Sequence, residues 1–135
     1  MSDITSHKPR DLNLAFVKYE RWWYMNRQPK LSLHFTIIDF GEDFGKPIQA
    51  HYRLDRFDKR GRCYAKPRTR IVRDLGRLFP DYIDQVPLPL SRLKGCTMVG
   101  RTRWVTKDGN NVDLAPQQHY ELVECLLGLA NGQQS

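Results

Sequence analysis

The 135-residue sequence has few cysteines and no long apolar run. Cys63, Cys96 and Cys125 are odd in number, far apart and not spaced as C-x-x-C, so neither a closed set of disulfides nor a zinc site is indicated. No stretch approaches the roughly 20 apolar residues that cross a bilayer, and residues 1–10 lack the pattern of a secretory signal. We therefore expect a cytoplasmic protein with reduced, partly buried cysteines.

The signatures of common enzymes are also missing. The sequence contains no P-loop, no G-x-G-x-x-G, no H-E-x-x-H and no G-x-S-x-G motif, and its four histidines do not have ligand spacing. Two sets of acids could converge on Mg²⁺ in a nuclease, although turn acids and charge partners of arginine are the simpler interpretation. These sets are Asp39, Glu42 and Asp43 with His51, and Asp55 with Asp58. We expect no catalytic residue, metal or cofactor.

Length and composition fit one globular domain. Hydrophobic residues make up 40% and charged residues 27% of the chain, which are near globular averages. Residues 1–11 are polar and include Pro9, so they are predicted to form a flexible N-terminal arm, and residues 131–135 a flexible tail. The folded domain is expected to span residues 12–130.

The positive charge of the chain is concentrated in one segment, residues 53–77. The formal net charge is +7, and this segment holds ten basic residues against three acids, whereas the rest of the chain carries twelve of each sign. Eight of the ten are arginine, whose planar guanidinium binds phosphate oxygens in bidentate fashion and stacks on bases. A polyanion is the expected partner; a solvated basic face that only keeps the protein in solution is the alternative.

Hydrophobic patterning predicts a mainly β protein with one helix. Strands are expected at Leu12–Met25, Leu31–Phe40 and Ile48–Ala65, the last with a hairpin turn at Asp58–Gly61, and two more within Cys96–Leu127. Residues 118–127 are compatible with a strand or a capped helix, and the strand is favoured. Five antiparallel strands with a helix between the third and fourth make an OB-like barrel, with an open α+β sheet as the alternative.

The predicted helix, Arg70–Phe79, separates apolar from basic residues. Ile71, Val72, Leu75, Leu78 and Phe79 follow helical spacing, Thr69 is the expected N-cap, and Pro80 ends the helix. On the other side Arg70, Arg73 and Arg77 recur every three to four residues and form a basic stripe. An ordinary amphipathic surface helix is the alternative.

Aromatic residues are interleaved with the basic ones, as expected of a protein that binds single strands through a cationic groove and stacking faces. Tyr52, Phe57 and Tyr64 lie in the basic segment, and Trp22, Trp23, Tyr24 and Trp104 on predicted strands. Side chains alternate along a strand, so one of Trp22 and Trp23 is expected in the core and the other on the surface. The predicted nucleic-acid-binding residues are Arg53, Arg56, Lys59, Arg60, Arg62, Tyr64, Lys66, Arg68, Arg70, Arg73, Arg77, Trp22, Arg101, Arg103 and Trp104.

The segment KLSLHFTIIDFGEDFG at Lys30–Gly45, together with the basic helix, polar connector and two late strands, resembles small proteins of bacteriophages and conjugative elements. Some of these are regarded as OB-fold proteins similar to single-stranded-DNA-binding proteins. The resemblance covers residues 16–126 and implies the same fold and ligand. The chain ends in LANGQQS, whereas housekeeping bacterial single-stranded-DNA-binding proteins end in an acidic tail, so partner recruitment through such a tail is in doubt.

The sequence thus favours a non-catalytic, sequence-tolerant binder of single-stranded nucleic acid, with DNA preferred over RNA. The alternative is a protein-interaction module or inhibitor encoded by a mobile element, which would place the basic segment on an acidic protein or in a nucleic-acid channel of a host defence complex. A third hypothesis is the Mg²⁺-dependent nuclease considered above. Small OB-fold binders commonly assemble, so a homo-oligomer is also considered.

Overall fold

The computed structural model describes residues 8–25, 27–81 and 87–130. In chain order the elements are β1 (Asp11–Tyr24), β2 (Gln28–Ile37), β3 (Pro47–Arg53), β4 (Arg56–Phe57), β5 (Cys63–Tyr64), α1 (Arg70–Leu78), a 3-10 turn (Leu90–Leu93), β6 (Thr97–Val105), a second 3-10 turn (Pro116–Gln118) and β7 (Tyr120–Leu129). Across these described ranges, no helix is long and apolar enough to cross a membrane. The prediction of a mainly β protein with one helix is confirmed.

Five strands form one antiparallel sheet in the order β3-β2-β1-β6-β7, and β4 and β5 form a separate hairpin around the predicted turn. The segment compatible with helix or strand is a strand, β7, which pairs antiparallel with β6. Among the described residues, the edge strands β3 and β7 are not hydrogen-bonded to each other as neighbours in the sheet. The sheet is therefore not a closed barrel, and the prediction of an OB-like barrel is not confirmed.

The core lies between one face of the sheet and α1. Alternate residues of β2, from Leu31 to Ile37, are buried against Leu14 and Leu126, and the apolar face of α1 closes the core with Ile71 and Leu75. The helix ends at Leu78, one residue before the predicted end. Thr69 occupies the N-cap position, but its hydroxyl donates to the Lys66 carbonyl instead of accepting a helix amide.

Gly100 lies at a point of the core that leaves no room for a side chain. A Cβ atom built there would lie 2.7 Å from Leu14 Cδ1 and 3.1 Å from Val123 Cγ1, and both of those side chains are buried. We expect Gly100→Ala to lower the free energy of unfolding by about 1–3 kcal/mol, the usual cost of overpacking. Urea denaturation measures this. Gly128→Ala, where a Cβ atom meets nothing within 4 Å, is the matched control, and equal losses in both variants would contradict the packing argument.

The second half of β1 extends beyond the core. Strand β6 pairs only with Asp11–Ala15, whereas β2 pairs with β1 as far as Tyr24, so the later residues form a two-stranded ribbon. The prediction that Trp22 or Trp23 lies in the core is wrong: they point to opposite faces but are 37% and 49% exposed. A two-stranded ribbon has no third strand beside it to bury either indole.

The folded part of the chain begins earlier than the predicted boundary at residue 12. Residues 1–7 of the predicted arm, residues 82–86 of the connector and the predicted tail, 131–135, lie outside the described residues. Asp11, placed in the arm by prediction, begins β1, and the guanidinium of Arg10 donates to Glu121 of β7 at 2.8 and 2.9 Å. These two residues are part of the fold.

Helix α1 covers the gap between the edge strands with polar side chains. The buried carboxylate of Asp74 accepts a hydrogen bond from the Tyr52 hydroxyl of β3 at 2.7 Å and another from the Leu126 amide of β7. The Arg77 guanidinium donates to Asp74 at 2.8 Å and to the Leu126 carbonyl at 3.2 Å. The backbone amide and carbonyl of Leu126, on an edge strand, thus find hydrogen-bond partners on the helix instead of on a neighbouring strand.

Candidate nucleic-acid interface

The outer face of β1, β2 and β3 carries a groove of about 620 Å³ next to the start of α1. The face exists because polar side chains alternate with the core residues of each strand, and the register places Trp22 opposite Lys30, and Ser32 opposite His51. The groove is lined by Trp22, Tyr24, Lys30, His51, Tyr52, Arg53, Thr69, Arg70, Ile71 and Tyr120. We call it the β1–β3 groove.

A chain of hydrogen bonds orients the aromatic floor of the groove. The Trp22 indole N–H donates to the Ser32 hydroxyl at 2.8 Å, and the Ser32 oxygen lies 2.7 Å from His51 Nδ1. Because the indole can only donate, the Ser32 hydroxyl is available to donate to Nδ1, which fits the neutral imidazole. Burial first, then electrostatic interaction with the neighbouring basic groups, lowers the pKa of His51 and favours that neutral form.

Three aromatic side chains expose ring surface in the groove. Trp22 packs in T-shaped fashion with Tyr24 and with His51, with centroids 6.5 and 6.3 Å apart, so it is not stacked face to face on either ring. Tyr24 and Tyr120 are each 50% exposed, and the Lys30 ammonium lies 5.7 Å from the Tyr24 centroid. Open ring faces beside a cation are what base stacking and phosphate binding require.

Lys30, Arg53 and Arg70 bring three positive charges into the groove. Burial, and then the charges of Arg53 and Arg70, lowers the pKa of Lys30. Arg53 donates to the side-chain oxygen of Gln28 at 3.2 Å, and no ion pair forms between it and another described residue. The three cations therefore repel one another, and a bound anion would relieve that repulsion.

Arg70 also has a structural role that its place in a basic stripe does not reveal. One guanidinium nitrogen donates to the Glu124 carbonyl of β7 at 2.8 Å and another to the His51 carbonyl of β3, while the group lies 4.6 Å from the Tyr52 centroid. Arg70 thus links the two edge strands. Arg77 is held by Asp74, so of the predicted stripe only Arg73 projects into solvent without such a contact among the described residues.

Several predicted binding residues lie on the β4–β5 hairpin, where they contact other residues of the same hairpin. The Arg56 guanidinium lies 3.8 Å from the Tyr64 centroid, and Arg62 pairs with Asp58 at 2.8 Å. Burial alone would raise the pKa of Asp58. Hydrogen bonds from Arg62 and from the Tyr64 hydroxyl outweigh that effect and lower the pKa to about 2. Lys59 and Arg60 occupy the exposed turn.

This hairpin packs on the back of the β1–β2 ribbon. Phe57 contacts Trp23 with centroids 5.0 Å apart, and the Arg21 guanidinium donates to the carbonyl of Gly61, whose φ of +84° suits glycine. Trp23 therefore faces away from the β1–β3 groove. Arg56, Lys59, Arg60 and Arg62 lie on the hairpin and do not line the groove.

The remaining predicted residues lie at three other places. Lys66 and Arg68 are exposed in the turn before α1, and Lys66 is near enough to line a smaller depression with Arg53. Arg101 is tied to Asp11 at 2.9 Å across β1 and β6. Arg103 is exposed on β6, and Trp104 lies at the far end of the sheet beside Glu121. The structure brings only Trp22, Arg53 and Arg70 of the predicted set into the groove.

Seven groove residues are absent from the predicted binding set: Tyr24, Lys30, His51, Tyr52, Thr69, Ile71 and Tyr120. Alternation along β2 puts Lys30, Ser32 and His34 on the polar face, and a short turn after Tyr24 sets the register, so Lys30 could have been placed beside Trp22. His51 and Tyr120 meet only because β3 and β7 approach each other, and no local pattern signals that approach.

Three of the acids considered for a metal site, Asp39, Asp43 and Asp58, have other partners. Asp39 accepts hydrogen bonds from the Asn13 amide and side chain at 2.8 and 2.6 Å, and Asp43 pairs with Arg10 and Lys46. In the described part of the chain, no group of three or more histidine, cysteine or acidic side chains could hold a metal ion. The three cysteines are free thiols, and burial raises the pKa of Cys63 to about 11.

No family model, no curated protein and no solved structure matches this chain.

Proposed function

We propose that the protein binds single-stranded nucleic acid, preferably DNA and without sequence preference, through the β1–β3 groove. The observation that carries this proposal is the convergence of Trp22, Tyr24 and Tyr120 with Lys30, Arg53 and Arg70 in one groove. Aromatic faces stack any base, and the adjacent cations neutralise the phosphates between them. No part of this arrangement requires a catalytic group.

We also propose that the fold is an open variant of the OB-fold. With β6 and β7 counted as the fourth and fifth strands, α1 follows the third strand and precedes the fourth, as in that fold. The edges β3 and β7 are bridged by Arg70 where a closed barrel would have backbone pairing. OB-folds present their second and third strands to oligonucleotides, and the groove lies on β2 and β3.

The first test is a fluorescence-anisotropy titration against labelled single-stranded DNA, single-stranded RNA and duplex DNA at several salt concentrations. Single-strand binding that weakens steeply with salt is the expected result, and the DNA and RNA affinities rank the two ligands. The absence of binding to any of the three at low salt would refute the proposal. The basic segment would then be assigned to a protein partner, as in the alternative hypothesis of an interaction module.

The contribution of one groove cation can be isolated with a matched pair of variants. Arg53→Gln is expected to make the slope of log K against log [salt] shallower by about 0.7, the value for one phosphate contact with a single strand. Arg101→Gln removes the same charge from a residue already paired with Asp11 and should leave the slope near that of the wild type. Equal changes in both variants would mean that only net charge matters.

A further inference from the structure

The two ends of the β1–β3 groove carry opposite charge. At one end Tyr120 also lines a second depression, of about 540 Å³, together with Glu42, Asp43 and Glu121. The cations of that depression are already engaged: Arg10 lies 2.8 Å from Asp43 and from Glu121, and Lys46 lies 3.0 Å from Asp43. With three carboxylates and only two cations, both of them paired, this end has a net negative charge and repels phosphate.

The other end continues into a basic surface. Arg53 lines both the groove and a third depression, of about 290 Å³, whose other residues include Gln28, Asp55, Lys66 and Thr69. Asp55 is the one acid there. Neither Lys66 nor the neighbouring Arg68 forms an ion pair with another described residue, and both are exposed. We call Lys66 and Arg68 the pre-helix shelf.

We propose that a bound single strand has a directed path: it leaves the groove past Arg53 and over the pre-helix shelf, and it stops at Tyr120. This inference rests on the proposed function. A polyanion follows the side of the groove where cations are unpaired, and it avoids the side where carboxylates outnumber them. The pre-helix shelf then contacts only strands long enough to extend beyond the groove.

The path predicts an effect that depends on the length of the ligand. The variant Lys66→Gln/Arg68→Gln is compared with wild type by anisotropy, using oligothymidylates of about 4 and about 16 nucleotides, which span the range of single OB-fold sites. For the long strand we expect a loss of affinity on the order of 10-fold and a salt slope shallower by about 1.4, from two lost phosphate contacts. For the short strand the variant should bind as tightly as wild type.

Lys46→Gln is the matched control at the acidic end. It removes one positive charge from an exposed side chain that lines the second depression, and it should change the affinity for either strand by less than about twofold, because Lys46 is already paired with Asp43 and lies at the end of the groove that the strand does not pass.

The outcomes separate this inference from the proposed function. If wild type binds the long strand but the Lys66 and Arg68 changes do not weaken it, or weaken short and long strands equally, the path is refuted while groove binding stands. A loss in Lys46→Gln as large as that in the double variant also refutes the path. Failure of wild type to bind either strand refutes both proposals.

Discussion

Replacing Asp74 by alanine is expected to destabilise the protein by about 3 kcal/mol. The carboxylate is 1% exposed and accepts hydrogen bonds from the Tyr52 hydroxyl, the Leu126 amide and the Arg77 guanidinium. A buried donor that loses its acceptor costs about 1–3 kcal/mol, and the variant leaves two such donors. The Arg77 side chain is 44% exposed and rehydrates, so we assign it little of the loss.

Urea denaturation followed by tryptophan fluorescence measures this loss. Tyr52→Phe is the companion variant: it removes one donor and leaves Asp74 with its other partners, so it should cost about 1 kcal/mol, the net value of one hydrogen bond. If Asp74→Ala were no more destabilising than Tyr52→Phe, the carboxylate would not be the point that joins α1 to both edge strands.

Trp22→Ala is expected to weaken single-strand binding by about 1–3 kcal/mol, which is about 5- to 150-fold in affinity. The indole is held by Ser32 and has ring surface open to the groove, so it stacks a base without losing much side-chain freedom on binding. Because stacking is not ionic, the loss should be similar at low and high salt, unlike that of Arg53→Gln. Anisotropy with a labelled oligonucleotide measures the affinity.

The control for this variant is Phe40→Ala. Phe40 is 96% exposed on the loop between β2 and β3, where it stacks on Phe44, and it does not line the groove. Its removal should leave the affinity unchanged. A comparable loss in Phe40→Ala would show that exposed aromatic surface in general, and not the groove, binds the ligand.

The neighbouring tryptophans provide a second control by spectroscopy. Trp22 and Trp23 lie on opposite faces of β1, and only Trp22 faces the groove. Binding should quench the fluorescence of wild type and of Trp23→Phe, and quench that of Trp22→Phe much less. Quenching that is lost in Trp23→Phe instead would place the ligand on the face that packs against the β4–β5 hairpin.

The sequence by itself determined the elements of the fold. Alternation from Leu31 to Ile37, the turn at Asp58–Gly61 and helical spacing from Ile71 to Leu78 are local patterns, and each predicted its strand, hairpin or helix within a few residues. Burial of one face of an element follows from its own residues, so these patterns can be read without knowing what packs against them. The concentration of positive charge in residues 53–77 could likewise be read from the sequence.

Only the tertiary structure decided which charges and rings share a surface. Arg70 and Arg73 belong to one stripe in the sequence, yet Arg70 bridges β3 and β7 while Arg73 faces solvent. His51 of β3 and Tyr120 of β7 are 69 residues apart in sequence (120 − 51) and line one groove. Such neighbours depend on the approach of the two sheet edges, and that approach is set by packing of the whole core, which no local pattern encodes.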